Sequence, residues 1–163
     1  MRKVEFVPFL LTDVTDIFSI RIDDDKMTEV DKFFILFKDT TSPVLKDDLT
    51  RIVTGLSQIA ENGALERYFR NEGGLKDRVV AIPLYIVSRN HSKNGTLRLY
   101  CIRISDKLLI IGGGGLKTTR TTEEDPVLTA HVRTLQAIDC RLAELETRKA
   151  LQSDLFNLTI MID

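Results

Sequence analysis

The stretch Gly95–Arg120, GTLRLYCIRISDKLLIIGGGGLKTTR, decides how the chain is read. Thr96–Ile104 is β-branched, aromatic and aliphatic, with two arginines, and Leu108–Ile111 is a short all-aliphatic run. Between them Ser105, Asp106 and Lys107 form a polar turn of the length that joins antiparallel neighbours. An aliphatic run with no polar face predicts a central strand buried on both sides. On the first strand Arg98, Tyr100, Ile102 and Ile104 share one face, and Leu97, Leu99, Cys101 and Arg103 share the other. Gly112–Gly115 follow. Glycine has no side chain to pack and loses the most entropy on ordering, so the run is expected to end the strand. It marks a bulge, or backbone that something approaches closely.

Working outward, the 163 residues fit one domain that buries roughly two thirds of its unfolded surface. Hydrophobic content of 43% against 29% charged residues is that of a globular protein, which excludes a disordered or fibrous chain. The formal net charge of −1 excludes binding to nucleic acid by overall basicity, so any such binding needs a local patch. Cys101 and Cys140 are far apart and read as reduced, buried small hydrophobes. The N-terminal apolar run is broken at Thr12, Asp13 and Asp16. That is too short for a membrane span, and no small-residue cleavage site follows, so a cytoplasmic protein without membrane contact is expected.

Residues 3–11 look extended, interrupted by Pro8, and Ile17–Ile22 alternates as a half-buried strand. Asp23–Asp25 reads as a solvated turn, with a cation site as its weaker alternative. Val30, Phe33, Phe34 and Phe37 recur at helical spacing behind Thr28 as N-cap. Ser42-Pro43 opens a second helix with an apolar stripe from Leu45 to Ile59, closed by Asn62-Gly63. A short helical piece carries Leu65, Tyr68 and Phe69. Val79–Val87 reads as a strand with Pro83 inside it, and Ser88–Gly95 as a polar hairpin loop. Asp125-Pro126 starts the longest helix, with a seam from Leu128 to Leu145, and Phe156–Ile162 alternates as a final strand. Antiparallel strands beside helices make the class α+β: one domain over 1–163, an antiparallel sheet with helices packed on one face.

This order of elements, with Thr96-Leu97-Arg98-Leu99-Tyr100 in the strand and Gly115-Leu116-Lys117-Thr118-Thr119-Arg120 at its basic exit, resembles the RelE/HigB-type toxins. The stretch Asn62–Arg70, NGALERYFR, is similar to the glycine-containing helix end before the sheet in HigB-like members. The likeness covers Ile17 to about Val132, a β-α-α-β-β-β-α core; residues 1–16 and 133–163 add terminal strands and the rest of the last helix. The resemblance implies a metal-independent endoribonuclease without a cofactor, one half of a toxin–antitoxin pair. It would cut mRNA, often on the ribosome, until an antitoxin protein covers its basic face. The family's strand arginine corresponds to Arg98 and its basic exit to Lys117 and Arg120. Unlike the family's, the preceding strand, VVAIPLYIV, carries no lysines, and no tyrosine or histidine closely follows Lys117.

Cleavage by 2′-hydroxyl attack needs a base, cations for the phosphorane and an acid for the leaving oxygen. From Lys93 to Arg120 the bases are Lys93, Arg98, Arg103, Lys107, Lys117 and Arg120 against Asp106 alone. In this reading Arg98 clamps the phosphate and Lys117 and Arg120 neutralise developing charge. Tyr100 stacks on a base or donates a proton, and Lys93 and Arg103 hold the strand. His91 is the nearby histidine, and no general base is assigned. The competing readings are solvated strand and loop charges, and a non-catalytic protein- or nucleic-acid-binding module on the same fold. GGGGLKTT is not a nucleotide-binding P-loop, because Leu116 separates glycine from lysine; an anion-binding nest stays open.

Overall fold

The computed structural model describes residues 1–71, 78–82, 96–117, 125–147 and 155–163. In chain order their elements are β1 (Arg2–Leu11), β2 (Asp16–Ile22), α1 (Glu29–Phe37), α2 (Pro43–Asn62) and β3 (Arg70–Asn71). Then come β4 (Val79–Ile82), β5 (Thr96–Ser105), β6 (Leu108–Lys117), α3 (Pro126–Thr147) and β7 (Thr159–Ile162). The strands form one sheet in the order β3-β4-β5-β6-β2-β1-β7. The class is α+β. Every pairing is antiparallel except β2 with β6, which run parallel from Asp16↔Leu108 to Ser19↔Ile111.

Local chemistry sets the helix ends as the sequence predicts. Thr28 Oγ1 accepts the Asp31 amide at 3.2 Å and Ser42 Oγ accepts the Leu45 amide at 3.3 Å, each closing an orphan donor of a first turn. Gly63, at φ 99°, ends α2, and its amide donates to Ile59 O. Asp23 and Asp24, at φ 52° and 58°, form the turn after β2. Their neighbours are cationic: Lys3 Nζ lies 2.5 Å from Asp24, and Lys32 Nζ 2.7 Å from Asp25. This is a paired turn rather than a set of carboxylates converging on one point.

The expectation of helices on one face is corrected. Tyr100, Ile102, Ile110, Phe18 and Ile20 turn to one side, under Leu128, Leu135, Ile138 and Leu142 of α3. Leu97, Leu99, Cys101, Leu109 and Ile111 turn to the other, against Val30 and Phe33 of α1 and Ile52, Leu56 and Ile59 of α2. The physical reason lies in strands such as VVAI of β4, buried at every position, which need cover on both sides. α3 runs unbroken through Val132, and β7 pairs with β1, so the terminal strands extend the same sheet.

A second correction concerns the glycines. β6 continues as a strand through all four of them to Lys117. The expected bulge is present: Leu99 faces Gly114 and Cys101 faces Ile111, so Gly112 and Gly113 oppose Tyr100 alone. All four are buried. A Cβ on Gly112 would lie 2.7 Å from Leu135, and one on Gly113 2.6 Å from the His131 ring. On Gly114 it would lie 1.9 Å from the Arg98 carbonyl oxygen. The run is the bed on which α3 sits, and β5's backbone crosses close beside it. Helix side chains fill the space that an anion nest would need. Among the described residues no helix is long and apolar enough to cross a membrane.

Candidate functional site

The β5–β6 register places the two central cations. Arg98 faces Gly115 and Thr96 faces Lys117. Paired residues share a face, and Gly115 turns toward Leu128 of α3, so Arg98 and Lys117 both belong to the α3 side. They are diagonal neighbours, a relation that spans about 7–8 Å in a regular antiparallel pair. Both side chains are half-buried. Arg98 Nη1 donates to the carbonyl of Leu97 at 3.2 Å.

Two aspartates hold this corner. Asp48 of α2 is buried, and its Oδ2 accepts the Leu97 amide at 3.1 Å, which fixes the backbone just before Arg98. Asp125 caps α3 by accepting the amides of Val127 and Leu128 at 3.0 and 3.2 Å. That brings the first helical turn over Gly115, directly across from Arg98. The helix's N-terminal partial positive charge lies next to the cation pair, with Asp125 offsetting part of it.

Other residues expected in the site serve elsewhere. Tyr100 is fully buried in the α3-side core, so its ring offers no surface on which a base could stack. Arg103 lies on the opposite face of β5. Its Nε donates to Ala64 O at 2.6 Å and its guanidinium pairs with Asp106. The β5–β6 turn is thereby bolted to the end of α2, where the Ala64 amide donates to Asp106 O at 2.7 Å and Thr15 Oγ1 to the same oxygen at 3.1 Å. Arg103 is a structural cation, and strand parity explains why: it is an odd-numbered neighbour of Leu99 and Cys101. Lys93, Arg120 and His91 lie outside the described residues. So do the Ser88–Gly95 loop and Pro83. Cys101 is buried, and burial raises its thiol pKa far above the ordinary value, which makes it a poor nucleophile; Cys140 is exposed.

Two constellations were not singled out from the sequence. His131 packs its ring on Gly113, half-buried, and burial lowers its pKa. Its spacing from Leu128 and Leu135, i, i+3, i+7, is that of the apolar seam and carried the signal. Arg78, at the start of β4, donates from its amide to Asp139 Oδ2 at 3.2 Å and from Nε to Oδ1 at 2.7 Å. Its Nη1 reaches Glu146 at 3.1 Å. Asp139 and Glu146, two turns apart, present a pair of carboxylates along one side of α3 that sequence spacing alone links to no partner. Compared with family models, curated proteins and solved structures, the chain matches none of them.

Proposed function

We propose that the chain is a RelE/HigB-like toxin domain, an endoribonuclease that cleaves mRNA by attack of a 2′-hydroxyl on the adjacent phosphate. One observation carries the reading: Arg98 and Lys117 occupy diagonal positions on one face of the β5–β6 pair, beside the N-terminus of α3. In this reading Arg98 grips two phosphate oxygens in its planar fork, and Lys117 offsets the charge that builds as the 5′-oxygen leaves. Arg120, three residues further on in the sequence and outside the described residues, is the third cation of this reading. The partners are mRNA, the ribosome and an antitoxin protein that masks these cations.

The test is expression in a bacterium, followed by mapping of mRNA ends. Wild type arrests growth and produces new 5′ ends, and Arg98→Ala with Lys117→Ala does neither. Harmless expression of wild type, with mRNA intact, removes the reading.

A second reading is a non-catalytic RNA- or protein-binding module. It is favoured by the burial of Tyr100 and the structural pairing of Arg103, which remove two of the proposed functional groups. Such a module binds single-stranded RNA with a salt dependence of about 0.7 log units per phosphate contact and leaves the strand uncut.

A further inference from the structure

We propose that the contact between α3 and the glycine half of β6 is a proton-sensitive latch whose sensor is His131. The inference does not depend on the nuclease reading. It starts from geometry: the His131 ring lies where Gly113 leaves space for it, with Cε1 and Nδ1 both 2.6 Å from the position a Cβ would take. The ring is half-buried, and Gly112–Gly115 beneath it supply no side chain to solvate a charge. The neighbouring charges come from α1, Glu29 and Lys32, which act on the ring in opposite senses. Lys32 is itself drawn to Asp25 at 2.7 Å and Glu29 at 3.7 Å. On α3 the nearest cation, Arg133, is exposed, and Lys117 lies four residues along β6 from Gly113.

Burial is the largest influence on the ring and lowers its pKa from 6.5; Glu29 opposes and Lys32 assists. The folded junction therefore holds fewer protons than an opened one. Above the unfolded value of about 6.5 the neutral ring packs without electrostatic cost. As pH falls from there toward the folded pKa, protons favour the open state. The charged ring escapes by leaving Gly113. The helical segment it belongs to, from Pro126 to Leu135, is the one whose Leu128, His131 and Leu135 close over the glycines. Mild acid thus lifts the first turns of α3, and with them the cover over the face that carries Arg98 and Lys117. The opening is local, because Ile138 and Leu142 hold the rest of the helix on the sheet.

The test uses the full chain: hydrogen exchange of α3 at about pH 7.5 and 5.5, corrected for intrinsic rates, beside an NMR titration of the histidines. The His131 midpoint is expected below 6.5, and opening of Pro126–Leu135 is expected to rise by up to about tenfold for each unit of that displacement. His131→Gln abolishes the acid response, and His91→Gln keeps it. Lys32→Gln, which leaves the ring and its packing in place, reduces the response because removing a neighbouring cation moves the midpoint toward 6.5. A midpoint at or above 6.5, an acid response retained by His131→Gln or enlarged by Lys32→Gln, or exchange that rises uniformly along the chain overturns the proposal.

Discussion

At Gly114 a single hydrogen stands where a methyl group would meet the backbone of the neighbouring strand. The 1.9 Å approach to the Arg98 carbonyl oxygen leaves nothing flexible to move aside, so Gly114→Ala has to part β5 from β6. The expected loss is about 3 kcal/mol, the upper end of ordinary overpacking, read as a lower urea midpoint. Gly115→Ala is the control. Its nearest neighbour is the flexible end of Leu128 at 3.4 Å, and the change stays within about 0.5 kcal/mol of wild type. Arg103 makes a second contrast at this scale. Arg103→Ala removes a charged donor from Ala64 O and leaves Asp106 without its partner, a loss of about 1.5–3 kcal/mol. If the proposed RNA binding holds, affinity measured on the folded fraction stays unchanged, because this guanidinium faces away from Arg98; a parallel fall in affinity would place Arg103 in the proposed binding surface.

Elements whose ends are written in local chemistry are legible in the sequence. Ser42-Pro43, Thr28, Asp125-Pro126 and Asn62-Gly63 name their helix termini because one side-chain oxygen or one left-handed glycine does the capping within four residues. The Asp106-Lys107 turn was legible for the same reason. The glycine half of β6 was not. Its strand character comes from α3 and β5 pressing on it, contacts made by residues such as His131 and Arg98 that lie far off in sequence or across a turn. Of the site, the Arg98–Lys117 diagonal was half legible: parity gave Arg98 a face, but Lys117 was expected beyond the end of the strand, and the two-residue bulge at Gly112-Gly113 sets the register between them. In the sequence Asp48 reads only as an acid early in α2. Its removal tests the claim that α2 holds the start of β5. Asp48→Ala leaves the buried Leu97 amide unpaired, costs about 1–3 kcal/mol and speeds amide exchange at Leu97 ahead of the rest of β5. Uniformly faster exchange along β5 would show that Asp48 supports the whole domain instead.

Across the molecule, two layers of helix grip one sheet, and the α3 layer is tied to the start of β4 by ions as well as by hydrophobic contact. Arg78 reaches from β4 to Asp139 and Glu146 of α3, and its carbonyl accepts the Arg103 amide of β5 at 3.0 Å. Among the described residues Arg78 Nη2 is buried with no hydrogen-bond partner, while Asp139 is 6% exposed. A pair held this way is costly to break from one side, yet it does not by itself favour folding, since both charges leave water to form it. Asp139→Ala is expected to lose about 3 kcal/mol, the low end for breaking a buried pair, because the Arg78 side chain stays 29% exposed and retains Glu146. Arg78→Met alone strands Asp139 and loses a similar amount. Combining Arg78→Met with Asp139→Leu removes both charges and fills the gap with apolar volume, so the double variant recovers most of the loss. A double-mutant cycle in urea reads the outcome directly. Additive losses would mean that Arg78 and Asp139 act separately, and that α3 is held on the sheet by its leucines alone.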